Sequence, residues 1–201
     1  MPNRLALLLL AAGQSSRMRG ADKLLEPIAG QPLLAHMIGQ AQATGRPVYV
    51  TLPALDHPRA STLQGATPIA VPDAAEGMGA SIRRGISALP STTEGVVMLP
   101  ADMPELTTGD FTKLIEGFEG PEGPILRATG TEAGEIRQGH PVLFPRRCFA
   151  ALTALQGDAG ARSVLRGEDL KLIALPEARA LTDLDTPEAW AAWRAAQDTR
   201  P

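Results

Sequence analysis

The most constraining feature of the sequence is a continuous apolar run at residues 5–11, which is followed by Gly13. A strand without polar alternation is buried on both faces, as in a parallel sheet covered by helices. Residues 31–45 then carry apolar side chains with a helical period, and residues 47–52 indicate a second strand. This order of strand, loop, helix and strand predicts two parallel strands joined by a right-handed crossover.

The alternation of strands and helices continues along the chain and predicts one α/β domain over residues 1–201 with a mostly parallel sheet. Ligands of such sheets bind beyond the carboxyl ends of the strands, so the loops after Ala11, Val71 and Leu99 should share one crevice. A loop is expected at residues 117–124. Further strands are predicted at residues 68–71, 95–99, 125–129, 141–144 and 170–175, and further helices at 80–89, 110–118, 148–155, 161–166 and 187–196.

Composition narrows the classes of partner. The net charge of -3 argues against a general nucleic-acid surface and favours small-molecule substrates. Cys148 is the one cysteine, which excludes an intramolecular disulfide and a cysteine metal cage and fits a cytoplasmic protein. Arg4 and the apolar run could be mistaken for a secretory signal, but the run is much shorter than the ~20 residues of a membrane helix. We therefore expect no membrane association.

The segment that follows the first strand has the properties of a phosphate-binding loop. Small residues from Ala11 to Gly13 allow backbone amides to approach an anion, and Arg17 and Lys23 can offset the charge of a triphosphate. The segment has neither the Gly-Lys-Ser/Thr ending of a P-loop nor the GxGxxG pattern of a dinucleotide-binding loop. It predicts a different kind of nucleotide site.

A second motif, residues 96–104, is a buried strand that ends in Asp102 between two prolines. A carboxylate at the end of a strand, beside a phosphate loop, is placed to bind a Mg²⁺ ion that bridges the triphosphate and the attacking oxygen. The alternative is a turn aspartate that bonds its own backbone.

The loop, from Leu10 to Lys23, resembles the LxAGxSxRMGxxK signature of the MobA-like nucleotidyltransferase family, with Arg19 where the family usually has glycine. Its Leu-Ala-Ala-Gly form is more similar to the molybdenum cofactor cytidylyltransferases than to the guanylyltransferases. The resemblance implies a three-layer Rossmann-like nucleotide-diphospho-sugar transferase fold, with Arg17, Lys23 and Asp102 as catalytic residues. The nucleotide-binding residues it implies are Leu10, Ala11, Ala12, Gly13, Ser15, Ser16, Arg17, Lys23, Asp73, Gly79 and Ser81.

Three later segments also resemble blocks of this family. His140, in a Gly-His-Pro bend, and Arg162, one turn inside a predicted helix, are candidate acceptor-binding residues. Asp185, in an Asp-Thr-Pro segment, is a candidate second metal ligand beside Asp102, although it or Thr186 can equally cap the last helix. A structural role remains open for each of these residues.

These features predict an enzyme that transfers CMP from CTP, with Mg²⁺, to a phosphorylated acceptor, and the resemblance implies molybdopterin as that acceptor. The alternatives are a guanylyltransferase, a sugar-1-phosphate nucleotidyltransferase, and a non-catalytic nucleotide-binding accessory protein of a molybdoenzyme. An oxidoreductase is a weaker alternative because the chain has no dinucleotide-binding fingerprint. A target molybdoenzyme is an expected protein partner.

Overall fold

The computed structural model describes residues 4–158 and 160–198 of the chain. Its centre is a seven-stranded sheet, and a separate pair of two-residue strands, β2 and β3, forms a small antiparallel ladder. The strands are β1 (Leu5–Leu10), β2 (Pro27–Ile28), β3 (Gln31–Pro32), β4 (Val48–Leu52), β5 (Thr67–Ala70), β6 (Gly95–Pro100), β7 (Ile125–Glu132), β8 (Glu135–Pro145) and β9 (Leu170–Ala174). The helices are α1 (Leu33–Gln42), α2 (Met78–Ser87), α3 (Thr108–Glu116), α4 (Phe149–Thr153), α5 (Arg162–Leu165) and α6 (Pro187–Asp198).

The strand order is β5-β4-β1-β6-β8-β7-β9, and only β8 runs antiparallel to its neighbours within this described sheet. The chain leaves β1 in one direction to form β4 and returns on the other side to form β6, so the strand order reverses beside β1. Leu10 pairs with Thr51 of β4 and with Pro100 of β6, which aligns the carboxyl ends of the three strands. A crevice for a ligand opens at such a point of reversal.

The central strand β1 has buried side chains on both faces of the sheet, as the unbroken apolar run predicts. Leu7 and Leu9 pack with α1, α3 and α6 on one face. Leu8 faces the opposite side and packs with α2 and α4. The three-layer α/β fold with a mostly parallel sheet is thereby confirmed, and the apolar run is a buried strand. Within the described part of the chain, no helix is both long enough and apolar enough to cross a bilayer.

Two predictions about the second half were wrong in detail. The strand expected at residues 141–144 is the end of β8, which begins at Glu135 and pairs with β7 as a hairpin, so His140 lies within a strand and not at its mouth. The hairpin turns at Ala133 and Gly134, which both have a positive φ. Residues 131–138 are exposed, so their sequence lacks the alternation of apolar and polar residues that predicts a half-buried strand. Arg162 is the first residue of α5 and does not lie one turn inside it.

Candidate active site

A cavity of about 430 Å³ lies at the carboxyl ends of β1 and β6. The loop after β1 forms one wall, and the residues that follow β6 form another. The start of α2 and Asp158 close the remaining side. The cavity is lined by Leu10, Ala11, Ala12, Gly13, Gln14, Ser16, Lys23, Leu24, Ala74, Ala75, Gly77, Met78, Ser81, Pro100, Ala101, Asp102 and Asp158. Eight residues predicted for the nucleotide or metal site therefore share one cavity.

The loop after β1 is built around a short 3-10 turn, Ser16–Met18, that buried Met18 anchors in the core. Ser15 has a φ of 51° and Arg19 a φ of 53°, so both adopt the left-handed conformation that is strained for most side chains. Arg19 thus has the backbone geometry that explains why glycine is usual at its position in the related signature. Gly20 continues the turn with a φ of 99°.

Lys23 joins the two carboxylates that the sequence predicts as metal ligands. Its Nζ forms ion pairs with Asp102 and, at 2.5 Å, with Asp185, while Arg17 lies 2.7 Å from the other oxygen of Asp185. Burial acts to lower the pKa of Lys23, but the charge of Asp102 and hydrogen bonds to both carboxylates outweigh it and raise the pKa above its ordinary value. The three predicted catalytic residues and Asp185 therefore form one charge network.

The donor set of this network fits a hard divalent cation. Asp102 is buried, and its Oδ1 has no hydrogen-bond partner among the described residues. Carboxylate oxygens are the ligands that Mg²⁺ prefers, and Mg²⁺ usually completes its shell with water and substrate phosphate. The described residues contain no group of three or more His, Cys, Asp or Glu side chains arranged to hold a metal, so a bound ion would need such additional ligands.

Asp185 does not cap the last helix. The hydroxyl of Thr186 accepts the 3.2 Å hydrogen bond from the amide of Ala189, whereas the Asp185 carboxylate faces Lys23 and Arg17. Nearby Asp183 has a raised pKa because it is partly buried and close to the charges of Asp185 and Asp102. Thr186 therefore has the capping role, and the Asp185 carboxylate belongs to the charge network.

Four predicted nucleotide-binding residues have other partners and do not line the cavity. Arg17 pairs with Asp185. Ser15 turns away to contact Arg59 and Asp22. Asp73 forms ion pairs with Arg83 at 2.7 Å and Arg84 at 3.1 Å, and the hydrogen bonds from these arginines, led by Arg84, lower its pKa.

Gly79 donates its amide to the carbonyl of Gly157 at 2.9 Å. A Cβ at Gly79 would lie 2.7 Å from that carbonyl oxygen, so the glycine permits close approach of two protein segments and not of a ligand.

The predicted acceptor residues, His140 and Arg162, do not line the cavity. Burial and the charge of Arg127 lower the pKa of His140 to about 4, against a smaller opposing effect of Asp102, so the imidazole is neutral near pH 7. His140 Nδ1 is buried without a hydrogen-bond partner among the described residues. Burial and the charge of Arg162 lower the pKa of Arg127. Arg127, which the sequence analysis missed, therefore interacts electrostatically with both His140 and Arg162.

Arg59 is the other important residue that sequence reasoning missed. It lies in the 3-10 turn Pro58–Thr62 and is buried beneath the loop after β1. Met78 and Asp158, which line the cavity, were also not assigned. A buried arginine leaves no periodic or motif signal in a single sequence, because its partners are far away in the chain.

The described arrangement has counterparts among known proteins. A family model described as a MobA-like NTP transferase domain matches residues 7–174, from within β1 to the end of β9. Purine catabolism protein PucB of Bacillus subtilis (strain 168) is 30% identical over 195 residues, which cover 90% of this chain and 91% of PucB. Bifunctional protein GlmU of Clavibacter sepedonicus is 35% identical over 151 residues, but the match spans only 31% of GlmU.

Among solved structures, a homologue of Mycobacterium tuberculosis rv0371c from Mycobacterium sp. strain JC1 is similar over 96% of both chains. The two folds match with a TM-score of 0.82 at 26% sequence identity. The chain therefore has both a sequence relative and a structural neighbour that match it over nearly their whole lengths.

Proposed function

The chain belongs to the MobA-like NTP transferase family, and on that premise we propose that it transfers CMP from CTP to a phosphorylated acceptor, molybdopterin, and releases pyrophosphate. Nucleotidyl transfer is the activity class of the family. The choice of CTP rests on the Leu-Ala-Ala-Gly form of the loop at Leu10, and the choice of acceptor rests on the same resemblance.

The observation that carries the proposal is the cavity where the loop after β1 meets Lys23 and Asp102, with Asp185 joined to Lys23 by an ion pair. A triphosphate seated against Gly13 would have Lys23 beside it, and the carboxylates of the network would lie at the α-phosphate. Positive charge next to small residues and exposed amides is the chemistry that recognises a polyanion.

The reaction is an in-line displacement. An oxygen of the acceptor phosphate forms a bond to the α-phosphorus of the NTP, while the bond from that phosphorus to the oxygen bridging to the β-phosphorus breaks and pyrophosphate leaves. The attacking oxygen is already anionic, so no side chain must remove a proton from it. Positioning and charge stabilisation can therefore supply most of the rate.

The side chains have distinct parts in this scheme. Lys23 and Arg17 transfer their interactions from the carboxylates to the phosphates as the nucleotide binds, which stabilises the charge that develops on pyrophosphate. Asp102 and Asp185 would hold Mg²⁺, which when bound neutralises phosphate charge. Neutral His140 can donate one hydrogen bond to the acceptor, and Arg127 and Arg162 bring positive charge to its phosphate.

Pyrophosphate release separates this proposal from its alternatives. Purified protein is incubated with Mg²⁺, each of the four NTPs, and either molybdopterin or a sugar 1-phosphate. CTP with molybdopterin should give the fastest release. Turnover with GTP would indicate a guanylyltransferase. Turnover only with the sugar phosphate would indicate a sugar-1-phosphate nucleotidyltransferase. Binding of CTP without release would indicate an accessory protein.

The role of Asp102 is tested by the Asp102→Ala variant. It should lose at least about 100-fold in turnover, since one well-placed electrostatic group contributes several kcal/mol to the transition state. Circular dichroism should match the wild type, because Asp102 lies after β6 and not within it. Asp110→Ala is a matched control, because that buried carboxylate caps α3 and pairs with Arg179 but does not line the cavity. Normal turnover of Asp102→Ala would refute the assignment.

A further inference from the structure

The guanidinium of Arg59 is buried, with only 2% of the residue exposed, and the proposed function gives it no role. Its Nη1 donates to the carbonyl oxygens of Ala11 at 2.5 Å and Gly13 at 2.8 Å. Its Nη2 donates to Ser15 Oγ at 3.1 Å and to Asp22, and its Nε donates to the other Asp22 oxygen at 2.7 Å. An arginine has five N–H donors, and all five are used here on one loop.

These bonds fix the direction of two peptide groups. In a planar trans peptide, the C=O of one residue and the N–H of the next point in opposite directions. Because the carbonyls of Ala11 and Gly13 point to Arg59, the amides of Ala12 and Gln14 point to the other side of the loop. Ala12 and Gln14 both line the cavity, and neither amide has an acceptor among the described residues.

We propose that Arg59 is a positioning residue that holds the loop after β1 so that the amides of Ala12 and Gln14 bind the polyphosphate of the nucleotide. This inference rests on the proposed function, because the polyphosphate is that of the NTP substrate. Arg59 itself stays behind the loop, and its charge is matched by the carboxylate of Asp22. The anion is therefore recognised by the oriented backbone.

The chemistry of the site requires arginine at this position. Two carbonyls, a hydroxyl and both oxygens of a carboxylate are bound by one planar fork. The ammonium of lysine has three donors and no planar fork, so it cannot hold both peptide groups and Asp22 in this arrangement. Arg59→Lys should therefore no longer hold the loop after β1 in place, even though it keeps the positive charge.

The first test uses wild-type protein and inorganic tripolyphosphate, which carries no base or sugar. In a ¹H–¹⁵N NMR titration, the amides of Ala12 and Gln14 should shift in proportion to binding. The amide of Glu94, which precedes β6 at the opposite end of the sheet, should not shift. A titration that saturates without moving the Ala12 and Gln14 signals would overturn the inference.

The second test compares variants. Arg59→Lys and Arg59→Met should each bind CTP and tripolyphosphate about 10- to 100-fold more weakly, the range expected for losing one or two hydrogen bonds to a charged group. Binding of cytidine should change far less. Arg146→Met is the matched control, because Arg146 also donates to a backbone carbonyl, that of Thr93, and stacks on Phe149, but does not line the cavity. Its nucleotide affinity should equal that of the wild type.

The outcomes are separable. An unchanged ratio of CTP to cytidine affinity in Arg59→Lys would contradict the role of Arg59, whatever the wild-type activity. If Arg59→Met does not fold, the lysine variant and the wild-type titration still decide. Tripolyphosphate binding at Ala12 and Gln14 without pyrophosphate release from any NTP would support the positioning role and refute the proposed function.

Discussion

At the scale of single residues, the site is defined by two cations that are paired with two carboxylates. Lys23 lies between Asp102 and Asp185, and Arg17 completes the network. Two carboxylates and two cations balance one another, so a divalent cation bound here would compete with the Lys23 ammonium for the carboxylates. On the proposed function we expect the nucleotide and the metal to assist each other, because a triphosphate would draw Lys23 away from the carboxylates.

Replacement of Lys23 by methionine tests this competition. The variant should bind Mn²⁺, used as a probe of the Mg²⁺ site, about tenfold more tightly than wild type in the absence of nucleotide, because the carboxylates lose their internal cation. Calorimetry measures the affinity directly. Lys113→Met, on the exposed face of α3, is the control. Equal or weaker Mn²⁺ binding by Lys23→Met would contradict the competition.

His140 makes a second prediction, about stability and pH. Its pKa is about 4 in the folded protein and near 6.5 when unfolded. Between these values only the unfolded chain binds the proton, so the free energy of unfolding falls as the pH decreases, by about 3 kcal/mol once the pH is below 4. Above pH 6.5 neutral His140 makes its full contribution to the free energy of unfolding.

Urea denaturation at pH 7, 5.5 and 4.5 should therefore show a steeper loss of stability for wild type than for His140→Gln, which cannot be protonated. The relevant quantity is the slope against pH, since the substitution also changes packing. Parallel slopes for the two proteins would show that His140 is not held neutral.

At the scale of elements, the glycines of α1 and α2 lie in different surroundings. Gly85 of α2 faces β1 so closely that a Cβ would lie 2.6 Å from Leu8 Cδ2. Gly39 of α1 is exposed, and a Cβ there would meet nothing within 4 Å. The same substitution is therefore expected to have opposite effects in the two helices.

Gly39→Ala should raise the free energy of unfolding by up to about 1 kcal/mol, the difference in helix propensity between the two residues. Gly85→Ala gains the same propensity but overpacks a core residue, which typically costs about 1–3 kcal/mol, so its net stability should lie below that of Gly39→Ala. Chemical denaturation of both variants provides the comparison. Equal stabilisation would mean that Leu8 yields freely and that the core beside α2 is loose.

At the scale of the whole molecule, the last helix connects the core to the site. Trp190 of α6 is 2% exposed and packs in the same cluster as Leu7 of β1 and Phe111 of α3. Ion pairs from Arg19 to Glu188 and from Arg194 to Glu26 join α6 to the segment that carries the loop after β1. This helix also follows directly after Asp185.

We expect the chain to unfold as one cooperative unit. Trp190 and Trp193 are its two tryptophans, and both lie on α6, so tryptophan fluorescence reports on this helix while far-UV circular dichroism reports on the whole chain. Their transitions in urea should coincide, as in two-state unfolding. A fluorescence transition at lower urea would show that α6 separates before the sheet unfolds.

The sequence by itself determined the features that are encoded in contiguous residues. The apolar run of β1 and the alternation of strands and helices up to α3 predict a sheet between two layers of helices. The glycine- and serine-rich loop predicts a cavity at the ends of β1 and β6. Local periodicity and backbone preference act over a few residues, so a single sequence is enough to detect them.

Only the tertiary structure decided which side chains meet. Arg59 is 37 residues from Asp22 in the chain, and Lys23 is 162 residues from Asp185, and no local pattern links either pair. Asp73 and Ser15 have polar partners in the fold that their sequence positions do not indicate, and the exposed part of the hairpin of β7 and β8 has no burial pattern. Contacts between distant segments depend on the packing of the whole chain, which the sequence determines only collectively.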